Sequence, residues 1–282
     1  MATLLALCAS LLWGSSDFLG GTTTRRLPVT AVVWSSQAVA LIGLLVVATA
    51  TTSFTTGSYL GWGVAAALVG VVGLVSFYAA LASGTMGVVA PIAALGVIVP
   101  VIVGIVQGDR PSVLQGLGVA VAIAGVVLAS GPEVRDAAAG AWRPLALAAF
   151  SAVGFGLVFV FIAHGARSST LMTLLTMRAV SVSVLTPLVV RRGQAAAIGR
   201  TDLAVLAAIG AGDVGANACM ALATTRGLLS LVAVLSSLYP AVTVVLARAV
   251  HDERLARMQV LGVTGALAGV VLIASSGGGL SS

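Results

Sequence analysis

Four ionisable side chains interrupt long apolar stretches of this chain: Asp17, His164, Arg178 and Asp213. A charged group at the centre of a membrane helix costs roughly 2.5–3.5 kcal/mol to insert, so each asks for a chemical reason. Asp213 lies in Gly210-Ala-Gly-Asp213-Val-Gly215-Ala-Asn217. Asn217 is four residues on and shares its helical face, and the glycines leave space beside the carboxylate. That pair suits a substrate amine or a proton; the competing reading is a structural carboxylate neutralised by Arg178. The planar fork of Arg178 suits a substrate carboxylate, and it suits equally a role in neutralising Asp213 or Asp17. Asp17 follows Trp13 by one turn, an aromatic-plus-acid face fit for a cationic or amino group. Its other reading is an interfacial acid in water with Trp13 packed against neighbours. Trp34, Ser76, Tyr78, Ser236, Ser237 and Tyr239 add donors and stacking faces, each of which ordinary packing would also explain. His164 reads as a polar group at the end of a run. The sequence carries no metal-spaced His/Cys cluster, nucleotide loop or nucleophile–His–carboxylate set. No enzyme and no cofactor is expected.

The elements that must position these groups are apolar runs. Hydrophobic residues make up 59% of the 282 positions and charged residues 8%, where soluble domains carry about 25% charged. So few charges cannot cover a water-facing surface, and the lipid bilayer is the expected solvent. Ten runs are read at 2–20, 29–49, 59–82, 86–106, 112–130, 144–164, 171–190, 202–224, 228–248 and 258–275. Each is close to the roughly 20 residues a helix needs to cross a bilayer. Two-residue alternation is absent, which argues against a barrel. The connections leave no room for a soluble domain. All 14 basic residues are Arg, scattered over loops instead of clustered as a nucleic-acid footprint would be. Arg25, Arg26, Arg135, Arg143, Arg191, Arg192, Arg200, Arg254 and Arg257 fall in loops on one side, and Arg110, Arg167 and Arg226 on the other. Positive-inside weighting then places both termini outside. Pro91, Pro100 and Pro240 are expected to bend their runs. Gly118-x-x-x-Ala122 and Gly265-x-x-x-Gly269 are small faces for close packing. Cys8 and Cys219 read as small core residues.

The chain also repeats itself. Gly108-Asp109-Arg110-Pro111, Gln115-x-Leu117-Gly118 and Gly125-Val126-Val127-Leu128 recur as Asp252-Glu253-Arg254-Leu255, Gln259-x-Leu261-Gly262 and Gly269-Val270-Val271-Leu272, offset by 144 residues. Upstream, Gly14 pairs with Gly154, Gln37 with Arg178, Gly87 with Gly227 and Pro100 with Pro240. The halves are residues 1–131 and 142–276, joined by 132–141 and followed by a tail at 277–282. Five spans per half force opposite orientations, with a substrate site between the repeats. The corner acids Asp109 and Glu253 read as structural loop pairs with Arg110 and Arg254.

With these corners and the Leu-Leu-Trp13-Gly14-Ser-Ser opening, the sequence resembles the EamA family of the drug/metabolite transporter superfamily. In the second half, Val153-Gly154-Phe155 replaces the Trp-Gly-Ser element, and Asp109 stands where Glu is usual. The resemblance implies an all-α membrane protein of ten helices, two inverted five-helix repeats around a central cavity, in the plasma or inner membrane. It implies transport of a small-molecule substrate such as an amino acid, with both termini cytoplasmic, opposite to the Arg count. Protons are the candidate coupling ion and a second copy of the chain a candidate partner. The expected site comprises Asp213, Arg178, Asn217, Asp17, Trp13, Gln37, Tyr78 and Tyr239. A lipid-handling or assembly protein and an intramembrane enzyme are the alternatives; a lateral cleft open to lipid would favour lipid handling.

Overall fold

The computed structural model describes residues 1–51, 56–83, 86–129 and 142–251, together with 258, 260–262, 264–265, 268–269 and 272 of the last apolar run. The connection at 132–141, the corner Asp252-Glu253-Arg254-Leu255 and the tail lie outside them. Among the described residues the chain is helical, without a strand. That is what apolar runs must do in lipid, where each backbone N–H and C=O has to be satisfied within its own segment.

The helices are α1 (Ala2–Thr23), α2 (Val29–Thr51), α3 (Tyr59–Ser83), α4 (Met86–Ala94), α5 (Ile98–Val106), α6 (Val113–Ala129), α7 (Trp142–Arg191), α8 (Leu203–Thr224), α9 (Leu229–Ser236) and α10 (Tyr239–His251). Counted over the described residues, six helical stretches are long and apolar enough to cross a membrane. Helix α7 has 50 residues, about 75 Å at 1.5 Å per residue, against a hydrocarbon core of about 30 Å. It is broken at Ser169, whose backbone is extended. The Ser169 hydroxyl accepts the Met172 N–H at 3.2 Å, the work of an N-cap, and the helix resumes. The outer surface carries large apolar side chains such as Leu4, Ile42, Val46, Leu68, Ile102 and Val184, as lipid contact requires. Both cysteines are free thiols; Cys219 is half-buried and packs against the core, whereas Cys8 belongs to the exposed surface and is not the core residue read from sequence.

Proline shapes two of the runs. Between α4 and α5 the chain tightens into a 3-10 turn at Leu95–Val97, just where Pro100 cannot supply an N–H to the Gly96 carbonyl. Helices α9 and α10 are interrupted at Ser237 and Leu238, immediately before Pro240, the counterpart of Pro100. The second break puts Tyr239 at the middle of the bundle.

Glycine sets the closest approaches. A Cβ on Gly212 of α8 would lie 2.2 Å from the Ser16 hydroxyl of α1, and one on Gly154 of α7 would lie 3.1 Å from the Gly73 Cα of α3. A Cβ on Gly269 would meet the backbone of Gly118 and Ala122 in α6 at 2.6 Å, so two of the small faces read from sequence meet each other.

Polar contacts tie the bundle at both ends. At one end Arg26 pairs with Asp202 at 2.5 Å, and the Thr30 hydroxyl donates to Gln194. At the other, Asp109 Oδ2 accepts the Ser230 N–H at 2.9 Å and its hydroxyl at 2.8 Å, capping the start of α9 from the opposite half. Asp109 is therefore bonded across the molecule to Ser230; among the described residues it makes no pair with Arg110, the loop partner expected from sequence. Losing two hydrogen bonds to a part-buried carboxylate costs about 1–3 kcal/mol. Asp109→Ala is expected to lower the thermal midpoint in detergent accordingly, while Arg110→Ala, exposed beside it, leaves the midpoint in place. An unchanged midpoint for Asp109→Ala would remove the cap from the account.

Candidate functional site

Helices α1, α2, α3, α7, α8 and α10 surround a cavity of about 630 Å³, its open mouth included. Its ionisable lining is Asp17, Arg178 and Asp213, three of the four residues singled out by composition alone. His164 lies elsewhere, its ring 4.8 Å from that of Trp62 and its Nε2 3.0 Å from Gln107 Nε2.

Asp213 is the hub. Its Oδ1 accepts Trp13 Nε1–H at 3.1 Å and Asn217 Nδ2–H at 2.9 Å. Its Oδ2 accepts Gln37 Nε2–H at 3.3 Å and lies 2.9 Å from Arg178 Nη2 in an ion pair. Arg178 Nη1 in turn donates to Gln37 Oε1. Two helical neighbours explain the local geometry: Asn217 is one turn from Asp213 and also donates to its backbone carbonyl at 2.7 Å. The glycines around Asp213 let α1 and α8 approach until Trp13 reaches the carboxylate. Arg178 is only 2% exposed; burial of a guanidinium to that degree is tolerable because Asp213 neutralises it and Gln37 accepts from it.

Asp17 differs. It is 7% exposed and lines the cavity, yet it has no hydrogen bond or ion pair among the described residues. Nearby in the lining, the Tyr239 hydroxyl is buried and likewise without a partner among them. Trp13 is fixed from three sides: by its N–H to Asp213, by Phe159 stacked at 5.1 Å and 12°, and by Tyr239 edge-on at 6.4 Å.

The structure thus brings Trp13, Asp17, Gln37, Arg178, Asp213, Asn217 and Tyr239 to one cavity. Tyr78 is not in its lining. It is buried behind α1, with its ring against the backbone of Gly20 and tilted on Phe77 at 5.9 Å. Trp34 is occupied elsewhere, donating to the Thr186 hydroxyl at 2.9 Å. Sequence reasoning passed over Phe155, Phe159 and Ser181, which also line the cavity. The signal for the two phenylalanines was their four-residue spacing on one helical face; Ser181 stands one turn after Arg178. Among the described residues no three of His, Cys, Asp and Glu come together as metal ligands would.

The model of the EamA-like transporter family matches the chain twice, over residues 1–131 and 142–275. A solved crystal structure superposes with a TM-score of 0.75, covering 97% of this chain and 98% of its own at 18% identity; at that identity the two share a fold. No curated protein matches the chain.

Proposed function

The chain belongs to the EamA-like transporter family, as a multi-pass membrane transporter of the drug/metabolite type, and from that premise we propose that it moves a small polar metabolite across the plasma or inner membrane by alternating access, as a proton-coupled exporter. The observation that carries this reading is the cavity itself: helices of both halves wall a space whose ionisable groups are Asp17, Arg178 and Asp213. A buried polar space between repeats is where such proteins bind their cargo.

Two further features support a ten-span, inverted arrangement. Gln37 and Arg178, partners in the repeat, are hydrogen-bonded to each other, as residues flanking a two-fold axis between the halves would be. The packing is also mirrored: α8 lies on α1 at Gly212 and Ser16, and the first part of α7 lies on α3 at Gly154 and Gly73. Exchanging the halves carries one contact into the other. The Arg178–Asp213 pair is then the fixed polar centre about which the halves rock. A proton arriving at Asp213 has to displace Arg178, and that displacement is the event that couples protonation to conformation.

Reconstituted vesicles loaded with a panel of metabolites test this. Counterflow of at least one of them above protein-free vesicles is expected, faster under an imposed proton gradient and collapsed by a protonophore. No movement of any panel member would overturn the transport reading; movement indifferent to the proton gradient would overturn the coupling.

A further inference from the structure

Resting on that transport reading, we propose that the substrate is an organic monocation with a flat apolar body, its ammonium group held by Asp17, and that zwitterions are the disfavoured class. The charges in the cavity decide this. Arg178 is the cation among the lining residues, and its charge is already matched: Nη1 donates to Gln37 and Nη2 lies in an ion pair with Asp213, while Nε is buried without a hydrogen-bond partner among the described residues. A substrate carboxylate would have to compete with Asp213 for that charge. Asp213 is matched as well, with two contacts on each oxygen. The two cancel, and the charge left over is that of Asp17.

A carboxylate 7% exposed with no partner among the described residues is stable only with a proton or a cation beside it. It lines the cavity, as does Tyr239, whose buried hydroxyl has no partner among the described residues. The rest of the wall is aromatic and aliphatic. Trp13 stacked on Phe159, with Phe155, Val71 and Leu74, forms a rigid apolar surface suited to a ring or chain and to cation–π contact. With the ammonium and Asp17 cancelling each other, a carboxylate on the same substrate would be brought in as a desolvated anion with no counter-charge of its own.

Three probes of one shape separate the classes: 2-phenylethylamine, phenylalanine and 2-phenylethanol, titrated calorimetrically into the purified full-length protein. The amine is expected to bind at least about tenfold tighter than either of the others, the margin a desolvated cation contact supplies. Asp17→Asn should reduce amine affinity to that of the alcohol, and Asp17→Glu should retain it. Equal or tighter binding of phenylalanine, failure of all three to bind, or amine affinity unchanged in Asp17→Asn would each overturn the proposal. The comparison of the three probes on the wild-type protein decides it even where Asp17→Asn does not fold. Vesicle counterflow separates the two levels: movement of a zwitterion or anion that the amine does not compete with overturns the monocation class and leaves transport standing, whereas movement of nothing overturns transport itself.

Discussion

Arg178→Ala is expected to abolish both the folded protein and transport, whereas Asp213→Asn abolishes transport and leaves a folded, inserted chain. Arg178 is 2% exposed and among the largest fully buried side chains. It links α7 to α2 through Gln37 and to α8 through Asp213. Truncating it leaves a void and an anion without its counter-charge. Breaking a buried pair by removing one partner costs about 3–5 kcal/mol, a large share of the roughly 5–15 kcal/mol that holds a typical domain together. Asp213→Asn also leaves Arg178 without its counter-charge, but it keeps the volume and one acceptor oxygen for Trp13 or Arg178, so the hydrogen-bond net is weakened and not emptied and the loss of stability is smaller. What it loses is the charge that a proton would exchange with. Size-exclusion profile and thermal midpoint in detergent read the first effect; vesicle counterflow reads the second. The double variant Arg178→Gln/Asp213→Asn removes both charges together and should recover much of the midpoint lost by Arg178→Ala while remaining inactive. Wild-type counterflow with an unchanged pH profile in Asp213→Asn would show the carboxylate to be structural only. A wild-type midpoint in Arg178→Ala would show that the pair does not hold the bundle.

The positions of the helices were readable because lipid demands one thing of each segment, a run of apolar residues with its backbone bonds closed internally. Hence α1 to α3 fall within a few residues of the expected runs, and the interruptions before Pro100 and Pro240 stand where a missing N–H would put them. Which side chains would meet was a different matter. Helices apolar all round hide which stripe faces inward, and the contacts that build the cavity cross the whole chain. Trp13 meets Asp213 200 residues away, and Asp109 meets Ser230 121 residues away. Sequence left Arg178 open to Asp213, Asp17 or a substrate, since all three satisfy the same chemistry; the structure pairs it with Asp213 and leaves Asp17 alone. The aromatic wall was half legible: Trp13 stood out by its acid neighbour, but Phe159 looked like any apolar residue of α7 until it stacked on that ring. Tyr78 shows the reverse case, a polar tip in an apolar run whose ring packs on Gly20 of α1 and on Phe77.

Gly96→Ala is expected to remove most of the folded protein, although it adds a single methyl group. A Cβ at Gly96 would lie 2.0 Å from the Ala152 carbonyl oxygen, and one at Gly156 would lie 2.3 Å from the Gly96 carbonyl oxygen. Both clashes are with backbone, so no side chain can rotate out of the way; the 3-10 turn ahead of Pro100 must separate from α7. Overpacking a core costs about 1–3 kcal/mol where side chains can yield, and here they cannot, so the loss should exceed that range for Gly96→Ala and Gly156→Ala alike. The control uses the same chemistry. Gly43 and Gly61 have no atom within 4 Å of a built Cβ, and Ala in an exposed helix interior is favoured over Gly by about 0.8–1 kcal/mol. Gly43→Ala and Gly61→Ala should hold or raise the thermal midpoint. Because all four variants make the same substitution in helical segments, only the space around the methyl group differs among them. A midpoint for Gly96→Ala equal to that of Gly61→Ala would mean that the two segments do not approach to backbone contact. The wall of the cavity that carries Phe155 and Phe159, set on the same stretch of α7 as Gly156, would then have to be redrawn.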